Sequence, residues 1–258
     1  MTITINDIER AMFEWAPASL AMRDDRNGLA AGDRRGRVSH VLAALDVTLN
    51  TIAEAKALGA DVIVAHHPIV WGDKAPWPSS DTDAGSILLA LCGVGVAAVT
   101  MHTNLDAARG GINDVLARLI GLEDVRIFDE KDGIGRMGRL PKPMSAKDYA
   151  VQCKAAVGTG VVRYYDAGRP IEAVALCSGG GAAVFPDAIK AGCDAFVTGD
   201  VKHSDFLIAQ NQGVTLFSCG HFATENIITP VVADYLRAQF PGLKVTLSRE
   251  TAEPFVCL

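Results

Sequence analysis

The chain has 258 residues, 49% of them hydrophobic and 21% charged, which suits a sizeable core in one large domain or two packed smaller ones. Its net charge is −6 and no segment concentrates Lys and Arg, so a broad nucleic-acid surface is disfavoured. No apolar run approaches the ~20 residues that span a bilayer, and residues 1–15 lack the apolar core of a signal peptide. We therefore expect a cytoplasmic protein with no membrane partner.

The first half of the chain alternates strand-like and helix-like segments. They are strand 38–46, helix 48–58, strand 61–65, helix 83–92, strand 94–101 and helix 111–120. This order predicts βαβ units and a largely parallel sheet. In such sheets functional groups gather at the carboxyl ends of the strands, and polar clusters follow the strands that end at residues 65 and 101.

Residues 124–142 are rich in charge, Gly and Pro, and we interpret them as the entry to a second lobe. The segments that follow are helix 145–157, strands 161–165 and 171–177, helix 182–191, strand 195–198, helix 203–210, strand 214–219, helix 225–240 and strand 244–247. Residues 58–64 resemble 191–197, which favours a duplicated α/β unit. The competing interpretation is that any two buried strands in such folds look alike.

The six cysteines are scattered and form no CxxC pair. Several of them lie in apolar, strand-like contexts. We therefore expect buried free thiols rather than disulfides or a zinc knuckle. The positions are Cys92, Cys153, Cys177, Cys193, Cys219 and Cys257.

The most informative segment is His66-His67-Pro68. Adjacent residues on a strand point to opposite faces, so two ligands in a row converge only where the chain leaves the strand. Pro68 marks that departure, because it holds His67 out of the helical region. Neutral imidazoles are ligands for Zn, Fe, Mn, Ni or Co. Two surface or hydrogen-bonded histidines are the competing interpretation, but their place at the end of a buried strand favours ligands.

Two further segments offer ligands. Asp106 supplies a hard oxygen able to bridge two cations, while His102 either ligates or transfers protons; a helix cap is the competing role for Asp106. If a helix begins at His221, then His221 and Glu225 lie one turn apart on one face, although Glu225 could instead be a surface residue near a helix end. Together these residues suit two divalent ions about 3.5 Å apart, and the lack of thiolate argues against a structural zinc site.

Two more segments follow predicted strands. Ser178-Gly179-Gly180-Gly181 could cradle an anion with its backbone N–H groups, or be a flexible turn. Thr198-Gly199-Asp200 and His203 could reach the metal cleft as outer contacts, or cap a helix.

Several ordered motifs then resemble a known family. They are residues 44–48 (ALDVT), 65–68 (AHHP), 102–106 (HTNLD), 110–114 (GGIND), 133–136 (GIGR), 198–200 (TGD) and 220–225 (GHFATE). The motifs occur in the same order as in that family, over nearly the whole chain. The chain thus resembles the Nif-three-like family, whose members are also catalogued as GTP cyclohydrolase I type 2-like dinuclear metal-centre proteins. Residues 25–29 (DRNGL) depart from the DNVGL of many relatives. This departure affects what the N-terminal loop is expected to contribute to the cavity, but not the expected metal site.

The resemblance implies two divalent ions in a cleft between two similar, intimately packed α/β lobes with mostly parallel sheets. We assign the lobes to residues 1–125 with 222–258 and to residues 126–221. The implied assembly is a homohexamer, a toroid of dimers whose metal sites face an internal cavity. The implied metal ligands are His66, His67, Asp106, His221 and Glu225, with His102 beside them.

These features predict a metal-dependent hydrolase of a nucleotide or another small, anionic phosphorylated or heterocyclic substrate. In this hypothesis the ions generate hydroxide, and His102 or His203 shuttles protons. GTP ring opening is one reaction that the resemblance suggests. The alternative is a protein that stores, delivers or senses metal without turnover. A nucleic-acid-binding ring is disfavoured by the negative charge.

Overall fold

The computed structural model describes residues 2–72 and 76–256. In that part of the chain the strands are β1 (Gly28–Ala31), β2 (His40–Ala44), β3 (Val62–Ala65), β4 (Ala97–Thr100), β5 (Glu123–Ile127), β6 (Arg136–Met144), β7 (Arg163–Tyr165), β8 (Ile171–Cys177), β9 (Ala195–Thr198), β10 (Thr215–Ser218) and β11 (Lys244–Leu247). The α-helices are α1 (Ile5–Trp15), α2 (Leu49–Leu58), α3 (Asp83–Val94), α4 (Thr103–Ala107), α5 (Ile112–Leu119), α6 (Ala146–Val157), α7 (Phe185–Lys190), α8 (His203–Gln212), α9 (His221–Glu225) and α10 (Ile228–Gln239). The predicted α/β class is confirmed.

The chain forms two compact units. The first consists of Met1–Ala108 with Ile228–Ala252, and the second of Arg109–Ile227 with Glu253–Leu258. None of the helices in the described ranges is long and apolar enough to cross a membrane.

The first unit is built on a sheet with strand order β1-β4-β3-β2-β11. Strands β11, β2, β3 and β4 are parallel to one another, and β1 pairs with β4 in the antiparallel direction. Every residue of β2, β3 and β4 is buried, because helices cover a parallel sheet on both faces. Helix α2 begins with Thr48, whose hydroxyl accepts from the Thr51 amide, and ends at Gly59, whose φ of 67° suits glycine.

The second unit is built on a sheet with strand order β5-β6-β8-β9-β10-β7. Strands β8, β9 and β10 are parallel, whereas β5, β6 and β7 make antiparallel pairs. The predicted predominance of parallel pairing therefore holds only for the first unit. Residues 124–142, interpreted from their charge, Gly and Pro as the entry to a second lobe, include most of the β5–β6 hairpin. A short connection joins strands only in the antiparallel direction.

Two further differences concern the ends of the chain. Helix α1 and strand β1 were not predicted, and the helix expected over 225–240 begins only at Ile228, as α10, with the separate short helix α9 before it. Pro230 explains why α9 and α10 do not form one helix. Its ring would clash with the carbonyl of residue 226 in a continuous helix, but it is tolerated in the first turn of α10.

The suspected duplication has a counterpart in the backbone contacts. Asp61, just before β3, accepts hydrogen bonds through Oδ2 from the amides of Ser39 and His40 at 2.7 and 3.0 Å. Asp194, just before β9, accepts through Oδ2 from the amides of residues 172 and 173 at 3.1 and 2.9 Å. Each aspartate thus joins the start of a parallel strand to the start of the preceding strand in its sheet, which supports a duplicated α/β unit.

Candidate metal centre

His66 and His67 follow the last residue of β3. Their backbone amides both donate to the carbonyl oxygen of Leu45, at 3.1 and 3.0 Å. Because one carbonyl receives two successive amides, the chain leaves the strand here, and the two side chains no longer point to opposite faces. Their ring centroids are 4.8 Å apart. The predicted convergence of adjacent histidines at the end of a buried strand is confirmed.

His102 and Asp106 come from the segment after β4. His102 precedes α4, and its amide donates to Oδ1 of Asn27 at 2.6 Å. Its ring lies 5.1 Å from that of His66, and the candidate ligand atoms of His66, His67 and His102 all lie within 4.8 Å of one another. Asp106 is buried in α4, with Oδ1 3.9 Å from Nε2 of His66. The first unit therefore brings all four of these predicted residues together.

In each of these three histidines, Nδ1 hydrogen-bonds to an oxygen acceptor. A backbone carbonyl or an ionised carboxylate can only accept, so Nδ1 carries the proton and the neutral ring has its lone pair on Nε2. This arrangement is typical of metal-ligating histidines, whose second nitrogen is held by an oxygen acceptor. The pairs are His66 Nδ1 to Met101 O at 2.8 Å, His67 Nδ1 to Asp46 Oδ1 at 2.7 Å, and His102 Nδ1 to Asp25 Oδ1 at 2.8 Å.

Asp25 is a site residue that the sequence analysis did not identify. Burial raises its pKa, but hydrogen bonds from His102 and Thr103 outweigh burial and hold the pKa of this carboxyl well below its usual range. The carboxylate is therefore charged and accepts a hydrogen bond from Nδ1 of His102. Asn27 also donates to Asp25, at 3.1 Å. The loop that departs from the family pattern thus supports His102. The polar residues Asp25 and Asn27 of its DRNGL motif could have indicated a contact with the site, but no spacing rule links them to His102.

The second unit contributes His221 and Glu225, the first and last residues of α9. Nε2 of His221 lies 3.0 Å from Oε2 of Glu225, so the predicted one-turn spacing on one helix face is confirmed. Nδ1 of His221 bonds to Oδ2 of Asp200 at 2.7 Å. The hydrogen bond with Glu225 raises the pKa of His221 to about 9, against the opposing effect of burial, and Asp200 adds to the increase.

The four-residue interval recurs in the two units. His102 and Asp106 lie four residues apart after β4, as His221 and Glu225 do after β10. In each case an aspartate holds Nδ1 of the histidine. The repeated arrangement extends the duplication from the strands to the candidate ligands.

The glycine-rich loop at 178–181 supports Glu225. The amide of Ser178 donates to Asn113 Oδ1 at 2.8 Å, that of Gly179 to Thr224 Oγ1 at 3.0 Å, and that of residue 181 to Ser178 O at 3.1 Å. These amides are occupied within the protein, so the predicted anion cradle does not hold for them. Gly179 has a φ of +54°, and a Cβ on it would lie 1.8 Å from Oε1 of Glu225. A glycine is required here for Glu225 to occupy its position.

His203 belongs to the second unit. It is the first residue of α8, it is exposed, and it does not belong to the group formed by His66, His67 and His102 among the described residues. Its role in proton transfer stays a prediction. Asp200, considered with His203 from the sequence, is the residue of that segment that contacts a candidate ligand.

Comparisons with known proteins show the family and the fold to which the chain is similar. The model of the family described as Duf34/NIF3 (NGG1p interacting factor 3) matches residues 3–254. A Lactococcus lactis protein named "GTP cyclohydrolase 1 type 2 homolog" is 31% identical over 255 residues, covering 97% of this chain and 98% of the relative. The crystal structure of the Staphylococcus aureus hypothetical protein SA1388 superposes with a TM-score of 0.89 at 25% identity, over 100% of both chains. A Bacillus cereus protein related to NIF3 gives a TM-score of 0.90 at 21% identity, over 100% of this chain and 99% of that one, and shows the shared fold.

Proposed function

This chain belongs to the Duf34/NIF3 family, and we propose that it is a metal-dependent hydrolase that holds two divalent ions and acts on a nucleotide or a related small anionic substrate. The observation that carries the proposal is the orientation of four imidazoles. His66, His67, His102 and His221 each direct Nδ1 to an oxygen acceptor. Four rings that all direct Nδ1 to an oxygen acceptor, at the carboxyl ends of strands, form a donor set suited to cations.

The proposed ligands come from both units. His66, His67 and Asp106 would be supplied by the first unit, and His221 and Glu225 by the second. Imidazole nitrogen and carboxylate oxygen suit Zn, Fe, Mn, Ni or Co. The donor set fits a divalent ion because an oxygen acceptor holds Nδ1 of each imidazole, so that Nε2 would be the ligand atom. Charged carboxylates in the same set would balance the ions.

Bound ions would supply Lewis acidity, which favours attack by water on an electrophilic carbon or phosphorus. The chain's own residues would do the rest. Asp46 and Asp200 orient His67 and His221 through Nδ1. His102, whose Nδ1 is held by the charged Asp25, would take up and release a proton at Nε2. His203 is the second candidate for this role.

GTP is the first substrate to test, since curated relatives carry the name "GTP cyclohydrolase 1 type 2 homolog". The purified protein should contain about two metal ions per chain by elemental analysis. Metal-loaded protein should convert GTP, or another nucleotide of a panel, and His67→Ala and Glu225→Ala should each lose both metal and turnover. Glu172→Ala is the matched control, because Glu172 forms an exposed ion pair with Arg139. Turnover that survives in His67→Ala and Glu225→Ala would refute the catalytic site.

Metal binding without turnover on any nucleotide would instead favour storage, delivery or regulation. Partial exposure of the His221 side chain, 37%, is compatible with exchangeable metal. His203→Ala and His102→Ala should separate the two candidates for proton transfer, since only the residue that moves the proton should change the pH dependence of kcat while metal content is kept.

The proposal includes a homohexamer in the cytoplasm. Light scattering should then give a particle of six times the 27.2 kDa chain mass. A monomer at micromolar concentration would remove the hexamer from the proposal and leave the metal ligands unaffected.

A further inference from the structure

Trp71 is an exposed aromatic side chain beside the candidate ligands. It is 63% exposed, yet its ring centroid lies 5.0 Å from that of His102 and 6.4 Å from that of His67. The indole and the His102 ring meet at 87°, edge to face, so the two do not stack. An exposed tryptophan contributes little to the core, and its large flat surface next to polar groups is typical of a ligand contact.

The same tryptophan lines a cavity of about 450 Å³ within the first unit. His67 lines it as well, so the cavity borders the proposed metal centre. Its apolar lining includes Leu49, Ile69 and Ile87. This volume lies in the range of small-molecule pockets, which combine apolar walls with a few polar groups.

The polar lining includes two carboxylates. Asp46, which also holds His67, and Asp83, in the first turn of α3, both border the cavity. A phosphate group would be repelled by two negative charges at short range. The N–H groups at the edge of a heterocycle could instead donate hydrogen bonds to these carboxylates, because ionised carboxylates only accept. The chemistry of the cavity therefore selects a planar, nitrogen-rich ring rather than an anion.

We infer that this cavity is the subsite for the heterocyclic base of the substrate, with Trp71 as the surface on which the base stacks. The ligand class is a purine-like ring that carries N–H donors, such as guanine. This inference rests on the proposed function, since the base is bound beside the ions that His67 would help to hold. Stacking on tryptophan tolerates different bases, so Trp71 supplies affinity and the carboxylates supply selectivity.

The test compares GTP with inorganic triphosphate, which has no base. Isothermal titration of the metal-loaded full-length protein should show that Trp71→Ala weakens GTP binding about tenfold or more, since each base–aromatic stack contributes substantially. Triphosphate binding should be unchanged. Trp71→Phe should retain most of the GTP affinity, because phenylalanine also offers a flat ring. Trp77→Ala is the matched control: Trp77 belongs to the same segment and is 87% exposed, but it does not line the cavity.

Binding and turnover separate the two proposals. If Trp71→Ala binds GTP as tightly as the unmodified protein, or loses triphosphate affinity equally, the base subsite is overturned while the metal centre stands. Absence of GTP binding by the unmodified, metal-loaded protein also overturns the subsite. If GTP binds through Trp71 but no nucleotide is converted, the hydrolase proposal fails and the subsite stands.

Discussion

Nδ1 of His67 lies 2.7 Å from Oδ1 of Asp46, which occupies the segment between β2 and α2. Strand β2 is one of the two parallel neighbours of β3, the strand that precedes His67. The sheet itself therefore brings the carboxylate to the imidazole. Because an acceptor on Nδ1 fixes the ring's tautomer and orientation, Asp46 prepares Nε2 of His67 to bind a cation.

Removal of this carboxylate should weaken metal binding. Asp46→Ala is expected to lower affinity for Mn²⁺ or Zn²⁺ by about 10- to 100-fold, the usual effect of losing the partner of a ligating histidine. Asp46→Asn should lose less metal affinity than Asp46→Ala, because the amide oxygen of Asn still accepts a hydrogen bond from Nδ1.

Isothermal titration with metal-stripped protein measures the effect. Asp187→Asn serves as control, since Asp187 contacts Lys190 in an exposed i,i+3 pair. Equal affinities for Asp46→Ala and the control would show that Asp46 has no part in the site.

Gly179 should be required for the position of Glu225. In Gly179→Ala the new methyl group would overlap Oε1 of Glu225, and the φ of +54° would add strain. We expect metal affinity to fall about tenfold or more, comparable to loss of a supporting contact.

Gly180→Ala is the matched control on the adjacent residue. Gly180 has a φ of −79°, and a Cβ there meets no heavy atom within 4 Å. Gly180→Ala should bind metal normally. The role assigned to Gly179 would be untenable if both variants kept normal affinity with similar thermal stability.

Glu9 should make stability depend on acid pH. Burial raises the pKa of Glu9, but hydrogen bonds from Arg34 and from the Leu29 amide outweigh it and leave the pKa below its ordinary value of 4.5. A lowered pKa in the folded state means that the stabilisation is present above the ordinary pKa and is lost as pH falls through the folded value.

Glu9→Gln should cost about 1.5 to 3 kcal/mol at neutral pH, the usual contribution of hydrogen bonds to a charged group. Urea unfolding at pH 7 and below pH 4 measures this, and the difference from the unmodified protein should shrink in acid. Glu14→Gln, at a 64% exposed position on the same helix, should change little. If Glu9→Gln lost the same free energy of unfolding at both pH values, the lowered pKa assigned to Glu9 would be contradicted.

The buried thiols should be unreactive in the native state. Cys153, Cys177, Cys193 and Cys219 are buried, and none of them forms a disulfide in the described part of the chain, as predicted. Burial raises the pKa of Cys193 to about 12, with Asp194 adding to the increase. Since the thiolate is the nucleophile, burial and a raised pKa both suppress reaction.

A Cys92→Ser, Cys257→Ser variant should therefore react with a thiol reagent only on unfolding. Four thiols per chain should then be labelled. Cys92 is exposed, and Cys257 lies outside the described residues. Rapid labelling of the native double variant would show that a buried thiol is accessible.

Local patterns in the sequence were sufficient for much of the fold. The alternation of strands and helices around β3 and β4 was predicted, because hydrophobic period and capping residues are local signals. The hairpin formed by β5 and β6 was not, since the exposed β5 lacks the alternation that marks a half-buried strand.

By itself, the sequence determined which residues end the buried strands, and therefore that His66, His67, His102 and Asp106 would meet in the first unit. It also determined that His221 and Glu225 share one face of a helix. Only the tertiary structure decided which carboxylates hold the rings of His102 and His67, since Asp25 is 77 residues from His102 and Asp46 is 21 from His67. Such pairs depend on strand order and loop path, and side-chain chemistry along the chain does not encode either one locally.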